Sequence, residues 1–371
     1  MSSSENTQNN TTKTIKARLI RLISNLVGLS WFAYLNILCF IYFCLGIFYE
    51  HRDQNDKAIQ FFDKALYINP YDEFTFLSLS NIYTKEKKLL QAKKYLKKAI
   101  LINPKESSSY YKLGDFYARE GKIDSSIKCY TKLLSYFPDE ARAYLKLGNC
   151  YLRKDDLTNA IKNLEKSISI NTKLYESLVI LGDTYIKTKE FDKSIDSYQK
   201  AISIKSNDSN LHISLGYVYS CTFDFNAAIR SYDKAIELDP DDPDTFKKIA
   251  DTYYKQANYA SAIDNYNKTL SLNPNYPNIY SNLGCSYRYQ NQYNLAIENF
   301  ENAIIKDPKD YFACCNLAEI YDKQEKYDHA IMYYQKAIEM NPNNAFIYSS
   351  LGELYEKLKQ YDLALINFEK V

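Results

Sequence analysis

Histidine, methionine, tryptophan and glycine are all scarce in this chain of 371 residues. It has three histidines, three methionines, one tryptophan and nine glycines. His51, His212 and His329 fall at different positions of the helical units predicted below, so no two of them form a metal-binding face or a base–nucleophile pair. The few glycines form no phosphate-binding loop. The sequence therefore predicts neither a cofactor nor a metal site, and it predicts that the protein is not an enzyme.

The chain also lacks an excess of either charge. Lysine and arginine number 47 against 45 acidic residues, which gives a formal net charge of +2. Such a balance creates no long-range field that would draw the chain to nucleic acid. We therefore expect no nucleic-acid partner.

The eight cysteines show no CxxC spacing, and the chain is much longer than a disulfide-stapled scaffold. The simplest interpretation is that they are reduced thiols, packed as small apolar side chains.

Proline occurs with a regular period. Seven of the nine prolines are spaced by 34 residues or a multiple of 34: Pro70, Pro104, Pro138, Pro240, Pro274, Pro308 and Pro342. Thr172 and Ser206 occupy the two places in this series that lack proline. When proline is assigned to position 32, repeat units begin at residues 39, 73, 107, 141, 175, 209, 243, 277, 311 and 345, and the last unit is incomplete. These boundaries predict a repeat array over residues 39–371.

Other residue types follow the same period. Position 11 is tyrosine in all ten units, position 7 is leucine except at Ile249, and position 8 is glycine in seven units. Position 20 is alanine or serine, and position 24 is Phe, Tyr or Leu. Apolar residues at positions 4, 7 and 11, and again at 20, 24 and 27, have helical spacing. Each unit therefore predicts two helices joined by a short turn.

The small and aromatic residues suggest how the two helices pack. Small residues at positions 8 and 20 allow close approach of the backbones, and rings at positions 4, 11 and 24 fill the gaps. Proline at position 32 ends the second helix, because the residue before a proline avoids helical geometry. Pro243 and Pro277 fall at position 1, where a helix tolerates proline. Asp115 and Asp251 at position 9 are expected to pair with Arg119 and Lys255, four residues later.

These motifs resemble the tetratricopeptide repeat, whose signature is an aromatic-x-x-Leu-Gly-x-x-Tyr run followed by Ala-x-x-x-Phe and Pro. The runs YYKLGDFY in unit 3 and IYSNLGCSY in unit 8 carry the resemblance. It implies an all-α fold, a right-handed superhelical solenoid of about ten helix-turn-helix hairpins. It also implies a scaffold or adaptor that binds other proteins through extended or helical peptide segments in a concave groove.

In this family the first helix of each unit lines the groove, chiefly with positions 2, 5, 9, 12 and 13. Units 3 to 6 carry apolar residues and a basic row at such positions. The resulting candidate peptide groove consists of Tyr111, Arg119, Leu145, Leu152, Arg153, Val179, Ile186, Lys187, Ile213 and Tyr217.

Two other functions fit the same motifs. The chain could be the non-catalytic regulatory part of a larger enzyme, as the repeats of the O-linked N-acetylglucosamine transferases are. It could also be a membrane-anchored assembly factor. The sequence assigns no oligomeric state.

The N-terminal region bears on whether the protein is anchored in a membrane. Residues 1–15 are rich in Ser, Thr, Asn and Gln and are predicted to be disordered. Residues 16–38 are predicted to form a hydrophobic helix, either a cap on the array or a membrane anchor. No charge occurs in residues 22–49, a stretch longer than the about 20 residues that span a bilayer. We predict a cytoplasmic protein, with a single-pass membrane anchor near the N-terminus as the alternative.

Overall fold

The computed structural model describes residues 31–371, and over this range the chain forms twenty α-helices and no strands. The predicted disordered residues 1–15, and residues 16–30 of the predicted hydrophobic helix, lie outside the described residues. The contacts divide the chain into two compact segments, one ending at Leu174 and the other formed by Tyr175–Val371.

The N-terminal segment contains four hairpins. Their helices are α1 Trp31–Glu50, α2 Asn55–Ile68, α3 Glu73–Lys85, α4 Leu89–Ile102, α5 Ser107–Arg119, α6 Ile123–Tyr136, α7 Ala141–Arg153 and α8 Leu157–Ile170. Each odd-numbered helix packs on the even-numbered helix that follows it, and α2, α4 and α6 also pack on the first helix of the next unit.

The C-terminal segment contains six hairpins built in the same way. Their helices are α9 Tyr175–Lys187, α10 Phe191–Ile204, α11 Ser209–Cys221, α12 Phe225–Leu238, α13 Pro243–Lys255, α14 Tyr259–Leu272, α15 Ile279–Tyr289, α16 Tyr293–Lys306, α17 Tyr311–Lys323, α18 Tyr327–Met340, α19 Ala345–Lys357 and α20 Tyr361–Phe368. The all-α solenoid of helical hairpins predicted from the sequence is thus confirmed.

The predicted ends of the second helices agree with the structure. In the nine complete units these helices end at position 30, and in seven of them an Asn or Asp follows at position 31. Asn69 Oδ1 accepts the Tyr71 N–H at 3.1 Å, and Asp307 Oδ1 accepts the Lys309 N–H at 3.0 Å. The helix also ends at Ile170 and Ile204, before the two places that lack proline. A second helix therefore ends at position 30 whether or not proline follows.

One prediction about proline is only half right. Pro243 is the first residue of α13, with Asp242 as its N-cap. Pro277 lies outside a helix, because Asn278 adopts a left-handed conformation with φ 60° and α15 starts at Ile279. This helix therefore begins two residues later than α13, although Pro240 and Pro243 have the same spacing as Pro274 and Pro277.

Every unit uses the same turn between its two helices. The residue at position 15 has a positive φ in all ten units, although only Gly121 among the ten is glycine. In unit 2, the Lys88 N–H donates to the Tyr83 carbonyl at 2.8 Å and the Lys87 N–H donates to the Thr84 carbonyl at 3.1 Å. This pair of bonds is a Schellman motif, which satisfies the last carbonyls of the first helix. The motif recurs because hydrogen bonding outweighs the cost of about 1–2 kcal/mol of a left-handed residue.

The centre of each hairpin is the ring at position 24. Phe62, Tyr198 and Phe300 are fully buried. Each ring lies over the glycine at position 8 of the same unit, where a Cβ on Gly284 would come within 2.7 Å of Phe300 Cε1. The glycine therefore makes room for a ring, and not only for the facing backbone. Most tyrosines at position 11, such as Tyr151, are half-buried and contribute less to this core.

Helix α1 is longer than the other helices. Within the described residues it covers Trp31–Glu50 and runs without a break through the predicted start of unit 1 at Cys39. Its second half packs as a repeat helix: a Cβ on Gly46 would meet the Phe62 ring at 2.5 Å, and the Tyr49 ring stacks on Phe61 with centroids 5.3 Å apart. By length and composition, the stretch from Ala33 to Glu50 is also apolar enough to cross a membrane.

Candidate functional site

A tyrosine–aspartate contact links the core to the surface of the first helices. Tyr130 Oη donates to Asp115 Oδ1 at 2.6 Å, and Tyr266 Oη donates to Asp251 Oδ1 at 2.7 Å. Burial, and then the adjacent carboxylate, raises the pKa of both tyrosine hydroxyls far above the usual range. These hydroxyls therefore remain protonated donors, and each fixes the carboxylate at position 9.

The carboxylates at position 9 use partners other than those predicted. Asp115 forms its ion pair with Lys146 of the next unit at 2.8 Å, and Asp251 forms its ion pair with Lys247 at 2.6 Å. Lys255 instead donates to Ser220 Oγ of the preceding unit at 3.2 Å. The predicted pairing four residues later is corrected here, because the buried ring turns the carboxylate towards other neighbours.

In the N-terminal segment, the predicted groove residues differ in accessibility. Tyr111 and Leu152 are half-buried, and Leu145 is only 4% exposed, so its side chain offers almost no surface to a ligand. Arg119 and Arg153 are exposed. Arg153 Nη1 donates to the Ala118 carbonyl at 2.5 Å, which brings the two arginines to the same stretch of the surface.

In the C-terminal segment, Val179, Ile186 and Ile213 are half-buried and Lys187 is exposed. Ile213 packs against the core formed around Tyr232. Tyr217 is 44% exposed. It is the apolar groove candidate of this segment that presents most surface.

Arg119 and Tyr217 each line a cleft. The first cleft, about 570 Å³ in volume, lies between the first helices of units 1 to 3. Its lining residues are Glu50, Ser80, Asn81, Thr84, Lys85, Leu89, Leu96, Lys112, Asp115, Phe116, Arg119 and Glu120. Lys112 Nζ donates to Asn81 Oδ1 at 2.7 Å, and burial lowers the pKa of Lys112.

The second cleft, about 450 Å³ in volume, lies on the first helices of units 6 to 9. Tyr217 and Phe312, which is half exposed, supply apolar surface. Lys248 Nζ lies 6.0 Å from the centre of the Tyr217 ring, and Asn282 adds an amide. This cleft therefore combines aromatic surface with hydrogen-bond donors.

Neither cleft holds the groups expected of a metal centre. Over residues 31–371 the structure contains no group of three His, Cys, Asp or Glu side chains placed to bind a metal ion. His212 Nε2 lies 3.3 Å from the Ser206 carbonyl oxygen, so this side chain has a hydrogen-bonding partner within the protein.

Known protein families match the chain along most of the array. Models described as tetratricopeptide repeat match residues 41–72, 75–106, 111–170, 277–310, 311–344 and 333–366. The chain belongs to the tetratricopeptide repeat family. A further model, described as the C-terminal ARM domain of tetratricopeptide repeat protein 21, matches residues 161–283. No curated protein matches the chain at a significant level.

Solved structures are similar to this tetratricopeptide repeat protein in fold. The C-terminal part of a repeat-containing protein from Cytophaga hutchinsonii is 20% identical with a TM-score of 0.57, and the match covers 64% of this chain and 97% of that one. MamA is 28% identical with a TM-score of 0.42, covering 43% and 94%. YrrB, described as having an unusual peptide-binding site, is 18% identical with a TM-score of 0.43, covering 48% and 92%. The repeat is typically a non-catalytic protein-interaction fold, so the chain is a protein-interaction scaffold in this general sense.

Several cleft residues were not among the sequence candidates. Asn81, Lys85 and Lys112 line the first cleft, and Lys248 lines the second. A sequence signal for the first cleft does exist, because unit 2 has Leu96 where most units have a ring at position 24.

Proposed function

We propose that this protein is a non-catalytic scaffold that binds peptide segments of partner proteins on the surface of its first helices. The observation that carries the proposal is the pair of clefts, since both are lined mainly by first helices and combine polar donors with exposed apolar side chains. Peptide recognition by helical repeats uses this combination: apolar anchors supply affinity, and polar groups supply register.

The groove residues predicted from the sequence that are accessible form the proposed binding site. Arg119 and Leu152 contribute in the N-terminal segment, and Ile186, Lys187 and Tyr217 contribute in the C-terminal segment. Leu145 is buried, so it packs beneath this surface and does not contact the peptide. The repeats could equally serve as the regulatory part of a larger enzyme, and the binding surface would then be the same.

A peptide library tests this proposal. We expect Leu152→Ser combined with Tyr217→Ser to reduce retention of random octapeptides, acetylated and amidated at their ends, by about tenfold or more, because buried anchors each contribute more than about 1 kcal/mol. Peptides retained by the immobilised full chain are counted by sequencing.

The matched control is Tyr67→Ser combined with Ile305→Ser. Tyr67 is 90% exposed and Ile305 is 74% exposed, and both lie on second helices. The control variant is expected to retain peptides as the wild type does. Equal retention by the first variant, with helical content unchanged, would move the binding surface away from the first helices.

For location, we propose a cytoplasmic protein in which α1 serves as the first helix of unit 1. Two observations support this. The half of α1 from Cys39 onwards packs on α2 through Gly46 and Tyr49, and a lipid-facing helix would leave these contacts. The cysteines of the described residues are free thiols, which suit a reducing compartment.

Carbonate extraction distinguishes this location from the membrane-anchored alternative. We expect the full-length protein to be released into the supernatant at alkaline pH, together with a variant shortened to begin at Cys39. If the full-length protein stays in the pellet and the shortened variant does not, the anchor is correct and the cytoplasmic proposal is wrong.

A further inference from the structure

Unit 2 lacks the ring that fills the hairpin core in most other units. Position 24 is aromatic except at Leu96 in unit 2 and Leu164 in unit 4. In unit 2, position 8 is also changed, from the usual glycine to Ser80. Ser80 and Leu96 form part of the wall of the first cleft.

The polar side chain at position 9 changes together with the ring. Where position 24 is tyrosine in units 3, 5 and 7, its hydroxyl donates to an aspartate. Unit 2 has Asn81 instead, and its Oδ1 accepts from the Lys112 ammonium of the next unit. Lys146 of unit 4 makes the equivalent contact with Asp115, so unit 2 keeps the lysine contact and lacks the tyrosine hydroxyl.

The carboxylates around the first cleft already have cationic partners. Glu50 pairs with Lys85 at 3.9 Å and Asp115 pairs with Lys146 at 2.8 Å. Glu120 has two partners, Lys122 at 2.8 Å and Lys93 at 3.7 Å.

Two cations of the cleft remain without such a partner. Within residues 31–371, no carboxylate oxygen lies within 4 Å of the charged nitrogens of Lys112 or Arg119. Burial lowers the pKa of Lys112, and the more distant carboxylates of Glu50 and Glu106 offset this effect only in part. The lining holds three acidic and three basic side chains, but these two cations have no direct carboxylate contact and can accept one from a ligand.

We propose that the first cleft binds an acidic side chain of a partner peptide, placed next to an aromatic or bulky aliphatic side chain. The carboxylate lies between Lys112 and Arg119, and Arg119 offers the planar donor pair that matches a carboxylate. The neighbouring apolar side chain packs on Leu89, which is 44% exposed, and on the edge of Phe116. This assignment rests on the proposed function, since it names the peptide chemistry that one part of the first-helix surface selects.

The chain's own repeats provide a variant that fills the cleft. Ser80→Gly combined with Leu96→Tyr gives unit 2 the residues that units 3 and 5 have at positions 8 and 24. The new ring should occupy the space beside Asn81, as Tyr130 does beside Asp115. The matched control is Leu164→Tyr in unit 4, which makes the same change next to an existing glycine, Gly148, and an asparagine, Asn149.

The experiment compares these proteins with the same end-blocked octapeptide library. For the full-length wild type and for Leu164→Tyr, we expect retained peptides to be enriched at least threefold in Asp or Glu adjacent to an apolar residue. For Ser80→Gly/Leu96→Tyr, and for Lys112→Met, that enrichment should disappear. A retained acidic peptide, resynthesised with Gln for Glu, should bind at least tenfold more weakly by fluorescence anisotropy.

The outcomes separate this assignment from the general proposal. If peptides are retained without acidic enrichment, or if the filled variant keeps the enrichment, the cleft assignment is wrong while peptide binding stands. If retention depends on a free C-terminal carboxylate in a second library with unblocked ends, the side-chain assignment is also wrong. If the wild type retains no peptide from either library, both proposals fail.

Discussion

Replacing Phe300 by alanine is expected to lower the free energy of unfolding by about 3–5 kcal/mol. The side chain is fully buried, and its cluster contains Cys285, Ala296 and Ala303 of its own unit and Leu317 of the next. Removing the ring deletes its transfer free energy and leaves a cavity above Gly284, which has no side chain to fill it. Thermal melting followed by circular dichroism measures the loss.

The effect of Phe300→Ala should be local. Each hairpin of a solenoid contacts only its neighbours, so the units around unit 8 should melt first and the transition should broaden or split into two steps. The matched control is Phe312→Ala, because this ring is half exposed and its loss should cost less than about 1 kcal/mol. A Phe300→Ala protein that melts with the wild-type profile would show that the ring at position 24 is not the centre of the hairpin.

The second large effect is expected from Gly284→Ala. An added Cβ would lie 2.7 Å from Phe300 Cε1 and 2.8 Å from Cδ1 and Cζ, so the ring must move. Overpacking of this kind costs about 1–3 kcal/mol. Units 7 and 9 combine Ala250 with Tyr266 and Ala318 with Tyr334, which shows that a shifted ring can be accommodated and favours the lower half of that range.

A double-mutant cycle checks the cause of this cost. Unit 2 combines Ser80 with Leu96, so a small side chain at position 8 goes with an aliphatic one at position 24. Gly284→Ala combined with Phe300→Leu should therefore cost about 1 kcal/mol less than the sum of the single changes, because the two residues are in contact. Strict additivity would mean that the glycine is needed for another reason, such as backbone conformation.

The first cleft shows how far the sequence could predict the candidate site. The repeat phase assigns Arg119, Leu152 and Tyr217 to first-helix positions that are accessible in the structure, but it assigns Leu145 to the same class although that side chain is buried. Position 5 is half-buried in six units and buried in the other four, since the same position meets different neighbouring side chains. A positional rule carries no information on those neighbours.

The residues of the cleft itself required the structure for a related reason. Lys112 and Asn81 are 31 residues apart and meet only when the first helices of units 2 and 3 lie side by side. The sequence shows Leu96 as a departure from the aromatic pattern, but the position of the half-buried Lys112 ammonium, with no carboxylate in direct contact, depends on distances between units.

The sequence by itself determined the fold of helical hairpins and the family, because the same residue types recur every 34 residues: small residues where backbones approach closely, and aromatic residues in the core. Only the tertiary structure decided which ring is the core and how the carboxylates at position 9 are paired. It also revealed the shared turn, in which nine non-glycine residues adopt a positive φ. Tertiary hydrogen bonding and packing override local preference at these places, and such interactions leave no single-residue signature.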